Sequence, residues 1–209
     1  MIEITAEQLE RIELLLQEVP KGAERAVRSI ISQAQKVGRK RIYTAITTVY
    51  DIEESELKKR RNTRIYLRTR KMDSGIVGEI KIFSNKIPLH KFGAKPQSPK
   101  AMPHRVPVII NDKWVMMRPG ITPFARQMKS RPFQRFDDAF VAKMPNGHEG
   151  IFERKHIRTS EVTEIMGNSV SQMVEHLEVM EQIEDAVMET IHKRIEPVIT
   201  HILNGHGGR

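Results

Sequence analysis

No cysteine occurs in the 209 residues, so disulfides, thiolate nucleophiles and Cys-ligated zinc are excluded together. Aromatic residues are scarce, with one Trp, three Tyr and seven Phe, which leaves few rings for stacking on unpaired bases. No stretch approaches the roughly 20 consecutive apolar residues of a membrane span. The first nineteen residues interleave Glu3, Glu7, Glu10, Arg11, Glu13 and Glu18 with apolar positions, unlike the basic start and apolar core of a secretory signal. These absences lead to the expectation of a soluble protein whose folding is independent of redox conditions. Gly-rich phosphate loops and a Gly-x-Ser-x-Gly elbow are missing as well.

What is abundant is charge, and it is segregated. The net charge is +9. Lys21 to Lys71 holds 15 Lys/Arg against 5 Asp/Glu, while Glu161 to Leu203 holds 2 against 9. A chain with one basic and one acidic segment can pair them internally or between identical copies, and the second option builds rings when the rotation closes.

Periodicity supplies the elements. Thr5-Ala6-Glu7-Gln8 has the form of a capping box and predicts a short helix with Leu9, Ile12, Leu15 and Leu16 on one side. Pro20 suits the first turn of a second, longer helix. There Ala23, Ala26, Val27, Ile30, Ile31, Ala34, Val37, Ile42, Ala45, Ile46 and Val49 recur at spacings of three and four. Arg25, Arg28, Lys36, Arg39, Lys40 and Arg41 fall mostly outside this stripe. Gly38 is the weak position, since an interior glycine costs about 1 kcal/mol relative to alanine.

From Thr63 the period becomes two, with Ile65, Leu67 and Thr69 on one face and Arg64, Tyr66, Arg68 and Arg70 on the other. Ile76, Gly78, Ile80 and Ile82 repeat the alternation beyond Asp73-Ser74-Gly75, which predicts a hairpin with a wet, basic face. Residues 86–107 carry five prolines and read as a loop. Val106 to Met117 predicts a hairpin around Asn111-Asp112, and Phe140 to Arg154 another around Asn146-Gly147, a dipeptide suited to a tight two-residue turn. Ser169 to Gln172 offers a second capping box, opening a long helix toward Asn204, with a kink or break expected near Ile195 because of Pro197.

The expected fold is α+β: a mostly antiparallel β-sheet flanked by a long N-terminal basic helix and a long C-terminal acidic helix. Its divisions are a helical extension over 1–19, one domain over 20–203 with the proline-rich loop at about 86–107, and a flexible tail over 204–209.

Catalytic motifs are weak. His148-Glu149 lacks the second histidine of a zinc-protease helix. His192 and Glu196 stand four apart, as metal ligands on a helix would, but a solvated helix face is the preferred reading; His176 and His201 read the same way. Asp137-Asp138 are adjacent in extended chain and point to opposite faces. The expectation is a non-enzymatic protein without a cofactor or a metal. The basic patch Lys58, Lys59, Arg60, Arg61, Arg64, Arg68, Arg70 and Lys71 has two readings. It meets nucleic-acid phosphates, or it meets the acidic face Glu175, Glu178, Glu181, Glu184, Asp185 and Glu189 of a neighbouring copy.

Four stretches resemble the phage minor tail protein Z family of tail-completion proteins. They are Gly22 to Tyr50 followed by Leu57-Lys58-Lys59-Arg60; Lys86-Ile87-Pro88-Leu89-His90-Lys91-Phe92-Gly93-Ala94; Asp138 to Met144 running through Asn146 to Arg154; and Gly167-Asn168-Ser169-Val170-Ser171-Gln172-Met173. The stretch 95–135 is longer and richer in proline than that pattern, and the helix before Pro20 is additional. The resemblance implies a structural virion protein without catalysis, acting in tail assembly and head-tail joining. It also implies a homo-oligomeric ring, expected as a hexamer, in contact with tail and neck proteins and with genomic DNA in its lumen, and assembled in the host cytoplasm. A nucleic-acid-binding module working through residues 58–71 is the alternative, and a hydrolase or maturation protease is a second.

Overall fold

Ten helical residues follow Thr5, whose hydroxyl accepts from the Gln8 backbone while its own N–H donates to the Gln8 side chain, so the expected capping box is present. The computed structural model describes residues 4–72, 75–97, 106–110, 113–117, 122–154 and 162–205. In chain order the helices are α1 (Ala6–Leu15), α2 (Gly22–Val49), α3 (Glu54–Leu57), α4 (Val170–Val174) and α5 (Leu177–Leu203). The strands are β1 (Thr63–Met72), β2 (Gly75–Ser84), β3 (Lys86–Pro88), β4 (Val106–Ile110), β5 (Lys113–Met117), β6 (Phe124–Ala125), β7 (Gln134–Arg135), β8 (Ala139–Lys143), β9 (Glu149–Arg154), β10 (Val162–Glu164) and β11 (Met166–Ser169). Helices and antiparallel strands are mixed, as an α+β class requires. The strands differ from the expected single sheet: they form four two-stranded ribbons and one three-stranded sheet, β10-β9-β8. Five of the eleven are only two to four residues long, too short to propagate a ladder.

Contacts group the chain into two compact units that do not follow chain order. One is Met1–Ala45, Arg64–Phe83 and Val174–Arg209; the other is Ile46–Thr63 and Ser84–Met173. The sequence boundary at residue 19 coincides with neither, because α1 buries Ile12 in the same unit as α2 and α5.

In the first unit, α2 begins at Gly22, two residues after Pro20, because Lys21 takes φ 55 and turns the chain before the helix starts. The predicted stripe is buried: Ala26, Ile30, Ile31, Ala34, Ile42 and Ala45 are nearly inaccessible. The helix runs unbroken through Gly38, and its neighbours explain the glycine. A Cβ there would lie 2.9 Å from Ile80 Cδ1 and 3.0 Å from Val187 Cγ2, so β2 and α5 both close onto α2 at this point. The propensity cost of glycine is offset by this close approach.

Gln35 ties the β1–β2 ribbon to α2. Its amide donates to the carbonyls of Arg68 (2.8 Å) and Glu79 (3.1 Å), one on each strand, and its oxygen accepts from Thr69 Oγ1 (3.2 Å). The side chain is 2% exposed, so these bonds satisfy a polar group that burial would otherwise penalise. At the acidic end of the unit the expected helix is split. Ser169 and Gln172 do form a capping box, but it opens only α4, and an extended His176 separates α4 from α5. The break therefore falls at residues 175–176, and α5 continues through Pro197.

The second unit starts at the C-terminal end of α2. The carbonyls of Thr47 and Val49, left without helical partners, accept from Lys129 Nζ (2.6 Å) and the Lys129 backbone N–H (2.9 Å). Asp51 N–H donates to Gln127 O (2.8 Å), and Arg126 Nε donates to Asp51 Oδ2 (2.7 Å). Tyr50 is buried beside this joint, and burial pushes its phenol above the ordinary tyrosine range despite a hydrogen bond with Asn168.

Part of the expected 86–107 loop is ordered. Lys86 to Pro88 pairs with β11 and is followed by a 3-10 turn, Leu89–Lys91, while 98–105 lie outside the described residues. Gly93 follows in the left-handed region at φ +57, where a Cβ would lie 2.5 Å from Asp51 Oδ2. Gly93→Ala is therefore expected to cost about 2–3 kcal/mol, from backbone strain and a displaced carboxylate. In a chain of this size the melting temperature should fall by about 5–10 °C, which a thermal scan reads directly.

The hairpin of β8 and β9 forms as expected, but over a five-residue connection. Only Gly147 takes positive φ there (+83), and the Asn146 side chain accepts from His148 N instead of supplying a second left-handed residue. β4 and β5 pair antiparallel from Val106↔Met117 to Ile110↔Lys113; their Asn111-Asp112 turn lies outside the described residues, as does the tail beyond Gly205.

Candidate interaction surfaces

The β1–β2 ribbon meets α2 at Thr69, whose hydroxyl donates to Gln35, and at Gly78, which lies against Ile31 and Gln35. Strand alternation therefore turns Arg64, Tyr66, Arg68, Lys81 and Phe83 to the other side, where Val77 is nonetheless buried. Arg64, Tyr66 and Arg68 of β1 and Lys81 and Phe83 of β2 are exposed. Tyr66 is 53% and Phe83 59% accessible, and the two rings meet edge to face at 5.7 Å and 80°. This geometry sets the positive edge of one ring against the negative face of the other. Arg64 and Arg68 make no ion pair among the described residues. Arg70 and Lys81 lie 3.5 and 3.6 Å from Glu79, and Lys71 reaches Glu24 at 3.2 Å. The Glu24 carboxyl is held below the usual glutamate range by its hydrogen bond from Arg28 and then by Lys71. Stabilisation from that pairing is present above the ordinary glutamate pKa and is lost as pH falls through the lowered value.

On α5 of the same unit, Val179, Ile183, Val187, Ile191 and Ile195 are buried, and the opposite side is acidic. Glu178, Glu181, Glu184 and Asp185 are exposed and make no ion pair among the described residues. Arg41 of α2 reaches this helix and donates to the neutral amide of Gln182 at 3.4 Å. Glu189 differs from its neighbours: Lys193 hydrogen-bonds it and holds its carboxyl low. Glu175 is exposed but precedes α5, in the break after α4, so it stands off the helical face expected to carry it. Met188 (37%) and Leu177 (71%) add exposed apolar surface to the same helix.

The basic patch read as one cluster is divided. Lys58, Lys59, Arg60 and Arg61 belong to the second unit, whereas Arg64, Arg68, Arg70 and Lys71 belong to the first. Lys58 pairs with Glu54 and Lys59 with Glu56, both within the turn of α3. Nearby Asn62 is buried and donates to the Glu56 carbonyl at 2.8 Å, which fixes this turn. Arg60 and Arg61 remain exposed.

The second unit also contains a cleft of about 510 Å³ lined by Arg126, Arg131, Phe133, Phe136, Gln127 and Asn168, among others. Arg126 is committed three times, to Asp51, to the Lys129 carbonyl at 3.3 Å and over the Phe133 ring at 4.6 Å. Several of the histidines and carboxylates singled out in the sequence have structural partners. His148 meets Glu164 at 2.7 Å, Glu149 lies 3.6 Å from Lys143, Asp137 pairs with Arg135, and Glu196 pairs with Arg11 instead of joining His192. Among the described residues no group of three or more His, Asp or Glu is placed to hold a metal, and no helix is long and apolar enough to cross a membrane.

Sequence reasoning missed Phe83, although its signal was legible: the alternation that turns Ile80 and Ile82 inward turns Lys81 and Phe83 outward. Comparison with protein-family models, curated proteins and solved structures returned no match.

Proposed function

We propose that this chain is a structural, non-enzymatic virion component, a tail-completion protein of the minor tail protein Z kind. It closes into a homo-oligomeric ring, a hexamer, at the head-proximal end of a phage tail, beside tail and neck proteins and around the genome. One observation carries this reading: a single compact unit bears both signs of charge on separate elements, and Arg64, Arg68, Glu178, Glu181, Glu184 and Asp185 make no ion pair among the described residues. Between Gly22 and Val49 the chain has six Lys/Arg and one acidic residue, and between Leu177 and Leu203 six acidic residues and two Lys/Arg. Internal neutralisation would have placed Arg64, Arg68, Lys36, Arg39 or Lys40 against Glu178, Glu181, Glu184 or Asp185, and no such pair is present among the described residues. Two unlike, complementary surfaces on one subunit are what a head-to-tail contact needs, and head-to-tail contacts close into rings.

Light scattering of the purified protein across concentration and salt tests the reading. Oligomers should form at low salt and dissociate as screening shortens the reach of charge to a few ångströms near 1 M. A monomer at every salt and concentration would sink the proposal. The second reading, a nucleic-acid-binding module, is favoured by the exposed Tyr66 and Phe83 between unpaired arginines. It requires salt-dependent duplex binding that disappears when Lys58 to Arg61 are neutralised.

A further inference from the structure

We infer that the outer side of the β1–β2 ribbon is the docking face for α5 of a second copy of this chain, with Tyr66 and Phe83 as its anchors. This rests on the ring reading above and names the contact that would build the ring. Charge alone is a weak basis for a stable interface, because exposed ion pairs contribute little. Interfaces instead concentrate their energy in a few aromatic and arginine side chains that lose water on contact. The ribbon offers that combination: two rings more than half exposed, already braced against each other, with Arg64 and Arg68 flanking Tyr66 and Lys81 beside Phe83.

The outer face of α5 is complementary in chemistry and in spacing. Glu178 and Asp185 are two turns apart, which at 1.5 Å per residue is about 10 Å. Arg64 and Arg68 are four strand residues apart, about 13 Å at 3.3 Å per residue. Two arginines on one strand face can therefore meet carboxylates two turns apart on one helix. Between and beyond those carboxylates, Glu181 is available to Lys81, and the exposed thioether of Met188 is a favourable neighbour for an aromatic edge. A polynucleotide would use the same rings and cations. The chain itself, however, carries an acidic helix face, Glu178 to Asp185, that makes no ion pair among the described residues and has a comparable spacing. The contact joins different surfaces of two copies, so it propagates around a ring instead of ending at a dimer.

The absence of cysteine gives a clean test. Two single variants that keep both anchors, Lys81→Cys and Met188→Cys, are prepared separately, mixed, and treated with a short bismaleimide. The expected result is a cross-linked dimer in the mixture that links one copy of each variant. In parallel, Tyr66→Ser/Phe83→Ser should weaken assembly at least 100-fold by sedimentation, with far-UV dichroism and melting temperature unchanged because both rings are exposed. If the parent assembles while neither the mixed cross-link nor the serine effect is seen, the ribbon is not the docking face, though the ring reading survives. If the parent never assembles, both fall. If the serine variant instead loses affinity for a fluorescent single-stranded or duplex oligonucleotide while the parent stays monomeric, the face belongs to nucleic acid and the inference is overturned.

Discussion

Reversing Glu181 and Asp185 to lysine is expected to abolish self-assembly at low salt, with an apparent loss of affinity of at least 100-fold. Both carboxylates are exposed on α5 and make no ion pair among the described residues, so their removal leaves no buried charge behind in the monomer. The monomer should therefore keep its melting temperature within a few degrees, since surface substitutions away from special features usually change stability by within about 0.5 kcal/mol. At the interface the effect is larger because each reversal replaces an attraction with a repulsion, and like charges brought together cost several kcal/mol.

The companion variant, Arg64→Glu/Arg68→Glu, should fail alone in the same way. Mixing the two variants is the decisive measurement. In a head-to-tail ring of alternating variants, reversed helix meets reversed ribbon at one contact and native ribbon meets native helix at the next, so the mixture should regain closed rings with an even number of subunits. Recovery of full rings from either single variant, or mixtures that stay wholly monomeric while the parent assembles, would show that these faces do not meet. Sedimentation velocity at one low and one high salt concentration distinguishes these outcomes.

Gln35→Leu is expected to lower the unfolding free energy by about 2–4 kcal/mol, the largest effect foreseen for a single residue within the subunit. Leucine fills similar space, so the loss is one of hydrogen bonding and leaves no cavity. Three partners are stranded: the carbonyls of Arg68 and Glu79 on the two strands, and the hydroxyl of Thr69. These are the bonds by which α2 holds the ribbon, so local opening of β1–β2 should accompany the loss. Amide hydrogen exchange at 64–72 and 76–83 should accelerate more than exchange in α2. Gly78→Ala attacks the same joint sterically, since its Cβ would fall 2.5 Å from Ile31 Cγ2 and 3.0 Å from the Gln35 amide nitrogen. Equal stability of parent and Gln35→Leu in urea titration would mean the amide does not hold the ribbon.

The joint also shows what a single sequence leaves hidden. Gln35 interrupts an apolar stripe in which Ile31 and Ala34 precede it and Gly38 and Ile42 follow, and periodicity alone treats it as an exception. Its role depends on two strands about 30 to 45 residues away, whose carbonyls arrive at the helix only after folding. Gly38 is similar: a liability by propensity, it marks the place where Ile80 and Val187 converge.

Local chemistry was determined by the order of residues alone. Spacings of three and four placed α2, alternation placed the β1–β2 ribbon, Thr5 and Gln8 placed the start of α1, and the count of Lys, Arg, Asp and Glu placed the two signs of charge. These follow from backbone geometry within a few residues, where side-chain direction repeats with the element's period. Tertiary structure decided the rest: the two units drawn from interleaved segments, the division of the basic run between Arg61 and Arg64, the break before α5, the pairing of Tyr66 with Phe83, and which arginines of β1 and carboxylates of α5 make no ion pair among the described residues. Each of these depends on which distant residues come into contact, a property of packing that no local period encodes.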